Sequence, residues 1–91
     1  MKWTDVKQDI SSISQEDKNL IELTALLASI RREKNITQKE LAEKVQVSQA
    51  QIARVESFSY APTLKTITKI ANGLDLELTF IDKTTKKPVK N

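Results

Sequence analysis

Two helix-start signals stand eleven residues apart, Thr37-Gln38-Lys39-Glu40 and Ser48-Gln49-Ala50-Gln51, and this spacing constrains the chain more than any other feature. In each, the hydroxyl is placed to accept from a backbone N–H one turn on, while the Glu or Gln side chain reaches back to the N–H of the cap. Two helices must therefore begin within one short stretch, which leaves room for about two turns and a tight connection. Leu41, Ala42 and Val45 fall on the inner face of the first helix, and Gln46-Val47 breaks the run. Ile52 and Val55 point inward from the second, which ends near Ser57. Neither helix contains proline, and the small Ala42 stands where the two would cross. Two short capped helices joined by a three- or four-residue turn make a helix-turn-helix.

The flanking segments supply the remaining core. Trp3, Val6, Ile10 and Ile13 make one apolar stripe on a short helix with Thr4 as its cap. Ser14, followed by Asp17, starts a longer helix bearing Leu20, Leu23, Leu27 and Ile30. Arg31, Arg32 and Lys34 in its last turn suit the helix dipole. After a loop from Phe58 to Pro62, Thr63 caps a helix with Leu64, Ile67, Ile70 and Ala71 inward, stopped by Asn72-Gly73. Leu74, Leu76, Leu78 and Phe80 then alternate with Asp75, Glu77 and Thr79, the period of a strand. A strand without a neighbour leaves its backbone groups unpaired, so it serves as an edge or pairs with the same strand of a second copy. The expected divisions are a helical extension over 1–19, a helix-turn-helix domain over 20–73, a strand over 74–82 and a flexible basic tail over 83–91.

Composition sets limits on the chemistry. The 91 residues include no Cys and no His, which excludes disulfides, Cys- or His-ligated metal and Ser-His-Asp catalysis. The single glycine excludes a Gly-rich phosphate loop, and no apolar run reaches membrane-spanning length. No catalytic residue, metal ligand or cofactor site is expected, and the chain reads as a binding protein of the cytoplasm rather than an enzyme. A net charge of +3 is only mildly favourable to an anionic partner.

The run Ile36-Thr37-Gln38-Lys39-Glu40-Leu41-Ala42, with Val47-Ser48-Gln49, Ile52-Ala53-Arg54-Val55-Glu56-Ser57 and Pro62-Thr63-Leu64, resembles the Cro/C1-type (XRE) helix-turn-helix family. The resemblance covers about residues 20–74 and implies a mainly α, lambda-repressor-like bundle that binds operator DNA. It makes the second motif helix the recognition helix. Independently, Ala50, Ala53, Arg54 and Ser57 lie opposite Ile52 and Val55 on a helical wheel. Gln49, at the exposed tip, suits an adenine edge, and Arg54 suits a guanine edge or a phosphate. Gln49, Ala50, Ala53 and Arg54 are therefore the candidate base contacts. Gln38, which by resemblance supports Gln49, joins Lys39, Ser48, Ser57, Ser59 and Tyr60 as candidate backbone contacts; Lys39 is alternatively just solvated, and Ser48 is a cap first. Arg31 and Glu56 match positions that pair beneath the recognition helix in phage repressors, which implies a structural ion pair. Two departures stand out: Gln46 replaces the turn glycine, and Phe58 replaces the glycine that follows the recognition helix.

The extensions resemble HigA-type antitoxins of bacterial toxin–antitoxin pairs. That likeness implies a homodimer that binds double-stranded operator DNA and blocks a RelE/HigB-like ribonuclease toxin. Trp3, Val6 and Ile10 are the candidate toxin contacts if they are not core, and Leu74, Leu76, Leu78 and Phe80 are the candidate dimer strand. The alternative is a stand-alone phage- or plasmid-type repressor without a toxin partner.

Overall fold

The computed structural model describes residues 14–89, in which four helices follow one another: α1 (Gln15–Glu33), α2 (Gln38–Val45), α3 (Gln49–Glu56) and α4 (Leu64–Gly73). The fold is mainly α. The stripe of Trp3, Val6 and Ile10 lies outside the described residues. α1 runs unbroken across the division expected at residue 19.

Every helix starts on a hydroxyl. Ser14, Thr37, Ser48 and Thr63 are extended, and their side chains accept from the N–H groups of Asp17, Glu40, Gln51 and Thr66. Each such cap is worth about 1 kcal/mol. At Thr37 the reciprocal box is complete: Glu40 Oε1 accepts from the Thr37 N–H at 2.9 Å, and Thr37 Oγ1 accepts from the Glu40 N–H at 3.0 Å. The Thr37 N–H, and after it the Thr37 hydroxyl, holds the Glu40 carboxyl below the usual carboxylate range. The second signal forms only half a box. The half-buried Gln51 lies beside α4, where its amide N–H donates to Thr66 Oγ1 at 3.4 Å, and its side chain does not accept from the Ser48 N–H as a full box requires.

The helix ends share one device. Asn35, Gln46, Phe58 and Asp75 have φ of 58°, 60°, 52° and 60°, so each helix is followed by a left-handed residue that is not glycine. The next N–H returns to the last turn: Ile36 to Arg31 O at 3.2 Å, Val47 to Ala42 O at 3.0 Å, Ser59 to Arg54 O at 3.0 Å and Leu76 to Ala71 O at 2.8 Å. These closures satisfy carbonyls that the helices leave open. Asn and Asp tolerate the left-handed region through local polar contacts, whereas Gln and Phe carry the steric penalty of Cβ. Gln46 is exposed, so Gln46→Gly is expected to stabilise the protein by about 0.5–1 kcal/mol, read from the urea midpoint; unchanged or lower stability would refute the strain.

Leu27, Leu41, Ala42, Ile52, Val55, Ile67, Ile70 and Leu74 form one core, with Leu20, Leu23, Ile30, Ile36, Val45, Val47 and Leu76 packed around it. α2 and α3 pack on each other, α4 covers α2, and α1 meets α3. Two expectations for α4 need correcting. Leu64 is 68% exposed: it shares the face of Ile67 and Ala71, but as the first residue of α4 it stands at the open end of that face. Gly73 does not stop the helix but lies within its last turn, where a Cβ would run into Val45 Cγ1 and stand 2.9 Å from Leu41 Cδ1. The helix ends instead at Leu74 and turns at Asp75.

The expected C-terminal strand is not found among the described residues. Leu74 is the fully buried cap of α4, and the left-handed Asp75 interrupts the alternation at its second residue. Leu76 packs on the core, while Leu78 and Phe80 are exposed. The period of two thus mixes a helix closure with an extended connection. Residues 83–89, expected as tail, turn back toward Phe80. Ile81 bridges Pro88 in antiparallel sense, the Val89 N–H donates to Phe80 O at 2.9 Å, and Asp82 Oδ1 accepts from the Thr84 N–H at 2.7 Å. Lys34 Nζ fastens the end of α1 to Leu74 O at 2.6 Å.

Candidate nucleic-acid interface

α3 is divided by its two faces. Ile52 and Val55 are wholly buried, which turns Gln49, Ala50 and Arg54 to solvent and leaves Ala53 half-buried at the edge of the same surface. Ser48 is exposed at the N-terminus of α3, and Lys39 is exposed in the first turn of α2. The N-terminal ends of both helices therefore carry hydrogen-bond donors and a cation toward solvent, an arrangement suited to phosphate. The short side chains of Ala50 and Ala53 leave the middle of α3 low enough to approach a base edge.

The orientation of α3 is held from beneath. Glu56, its last residue, accepts from Arg31 Nε at 2.6 Å, from Arg31 Nη2 at 3.1 Å and from Gln38 Nε2 at 3.0 Å. Arg31 Nη1 also donates to Ile36 O at 2.7 Å, in the turn between α1 and α2. The Arg31 and Glu56 side chains are only 10% and 12% exposed. One carboxylate thus gathers donors from α1 and α2 onto the end of α3. Gln38 engages Glu56 through this bond, and its part in the network escaped the sequence reading, which assigned it to Gln49. The signal present in the sequence was an acid at the end of α3, which has to find donors if it is buried.

The loop after α3 presents the other expected residues. The left-handed Phe58 reverses the chain, so Ser57 and Ser59 face each other with their hydroxyl oxygens 2.7 Å apart. Ser57 Oγ also donates to Arg54 O at 3.2 Å. Ser57, Ser59 and Tyr60 are all exposed. Phe58 itself is half-buried. Among the described residues no cluster of three or more acidic, His or Cys residues is placed to hold a metal, and no helix is long and apolar enough to cross a membrane.

Two short helices packed on each other across a tight turn, with Ala42 buried between core residues and the second helix presenting an exposed, small-residue face and pinned at its end, define a helix-turn-helix protein. Residues 27–81 match the helix-turn-helix family HTH_3, and the chain belongs to this Cro/C1-type family of DNA-binding regulators. It is 34% identical over 55 residues to the immunity repressor protein of Bacillus phage phi105, a match that covers 60% of this chain and 38% of that repressor's length. Among solved structures it resembles a HipB chain from a complex with an O2 20mer, with 33% identity and a TM-score of 0.65, covering 69% of this chain and 88% of that one. A chain of a toxin–antitoxin module from Streptococcus pneumoniae matches with 31% identity and a TM-score of 0.62, covering 91% of this chain and 93% of its own length.

Proposed function

We propose that this chain is the antitoxin of a bacterial toxin–antitoxin pair, a cytoplasmic homodimer that represses its own operon and neutralises a RelE/HigB-like ribonuclease toxin. The observation that carries the reading is the extent of the match to the Streptococcus pneumoniae toxin–antitoxin module. That match takes in 91% of this chain, well beyond the helix-turn-helix itself, whereas the phage repressor match stops at 60%. The phage relative favours a second reading, a stand-alone repressor without a toxin. Pull-down of the tagged chain from its native host, followed by mass spectrometry, separates them: a small basic co-purifying toxin supports the first, and its absence with operator binding intact supports the second. Trp3, Val6 and Ile10 are the proposed toxin contacts.

On DNA, two copies of α3 enter successive major grooves about 34 Å apart, which calls for a palindromic site. Gln49 and Arg54 read base edges, Ala50 and Ala53 admit close approach, and Gln38, Lys39, Ser48, Ser57, Ser59 and Tyr60 meet the backbone. Arg54→Ala or Gln49→Ala is expected to remove about 1–3 kcal/mol of discrimination at one base position, while Lys39→Ala weakens all sequences alike and lowers the salt slope by about 1. Mobility shifts on a panel of substituted sites check both; sequence preference unchanged in both Arg54→Ala and Gln49→Ala would overturn the assignment.

A further inference from the structure

α1 carries more apolar surface than the core consumes. Leu27 and Ala28 are buried and Leu23 and Ile30 are half-buried against the core, yet Leu23, Leu26 and Ile30 make a stripe at i, i+3 and i+7 whose outer side stays open. This stripe, Ile67 and Ala71 of α4, and the extended residues 76–79, Glu77 among them, line a mainly apolar groove of about 280 Å³. Leu26 on its wall is 55% exposed, and Phe80, just past its end, is 82% exposed. Phe80 is held out beside Val89, whose N–H donates to Phe80 O. The face therefore carries both a hole and an aromatic knob, which is the requirement for a self-complementary two-fold contact.

We infer that two copies of this chain dimerise by exchange, the Phe80 ring of each entering the Leu26-walled groove of the other; this rests on the homodimer reading above. The area is sufficient. The exposed parts of Leu26, Leu78, Phe80 and Val89 amount to about 450 Å², the apolar share of one side of a standard interface of about 800 Å²; Ile81, which alternates with Phe80, faces the other way. The charges agree as well. Glu22 and Glu33 flank the Leu26 stripe on the exposed side of α1, and Lys83, Lys86 and Lys87 stand on the turn that follows Phe80. Exchange brings the lysines of one copy toward the acids of the other. No backbone pairing between copies is required.

The test uses Leu26→Glu and Phe80→Lys, both at exposed positions, with circular dichroism melts to verify the fold. By sedimentation the wild type is expected to be a dimer, and each variant alone to dissociate with a dissociation constant raised at least about tenfold. An equimolar mixture of the two variants is expected to dimerise again, because one site then joins Glu at 26 to Lys at 80 and the other is wild type. Single variants that remain dimeric, or a mixture that stays monomeric, would overturn the exchange while leaving the homodimer itself standing. A monomeric wild type would overturn the homodimer reading and the exchange with it. DNA mobility shifts on the wild type report separately on DNA reading.

Discussion

Glu56→Ala is expected to lower stability by about 3 kcal/mol, because it leaves the nearly buried Arg31 guanidinium without its counter-charge. The carboxylate accepts from two nitrogens of Arg31 and from Gln38, so three donors lose their partner in one substitution. For a domain of this size the thermal midpoint should fall on the order of 15 °C, measured by circular dichroism. Arg31→Ala strands the carboxylate instead and should cost about as much. Replacing both at once, Arg31→Met with Glu56→Leu, removes both charges and should recover most of the loss, since a buried pair is worth little more than an apolar pair of similar volume. A single-variant shift of less than about 3 °C would mean that the pair is effectively solvated.

Gly73→Ala is expected to destabilise by about 1–3 kcal/mol even though alanine favours a helix by about 1 kcal/mol over glycine. The added methyl would run into Val45 Cγ1 and stand 2.9 Å from Leu41 Cδ1. Val45 is β-branched and has little rotamer freedom with which to retreat. Trimming the obstacle in a Gly73→Ala, Val45→Ala double variant should restore part of the loss, so the two substitutions are non-additive. A Gly73→Ala variant that melts higher than the parent would show that propensity outweighs the close approach of α4 to α2.

What could be read from the residue order divides along local and non-local lines. The four hydroxyl caps were legible because donor and acceptor lie within one turn of each other. The fate of Gln51 was not, since Thr66, which it bonds, belongs to another helix. Gly73 looked like a stop because glycine usually serves there, yet its role is to let α4 approach Val45 and Leu41. The alternation from Leu74 to Phe80 looked like a strand because a period of two does not reveal that its first member caps a helix. The outward face of α3 was legible from Ile52 and Val55 alone, once they were known to be inward. The grip of Gln38 on Glu56 was not, because it depends on how three helix ends converge.

The separation of the two sides of α3 has an evolutionary consequence. Ile52, Val55 and Glu56 hold the helix, while Gln49, Ala50 and Arg54 are exposed and make no side-chain bond within the described residues. Substitutions at exposed positions away from caps and cores typically change stability by no more than about 0.5 kcal/mol. Those positions are therefore free to drift without endangering the scaffold, so that, with the base-reading role proposed for them, descendants of one gene can come to favour different target sites while the supporting residues stay fixed.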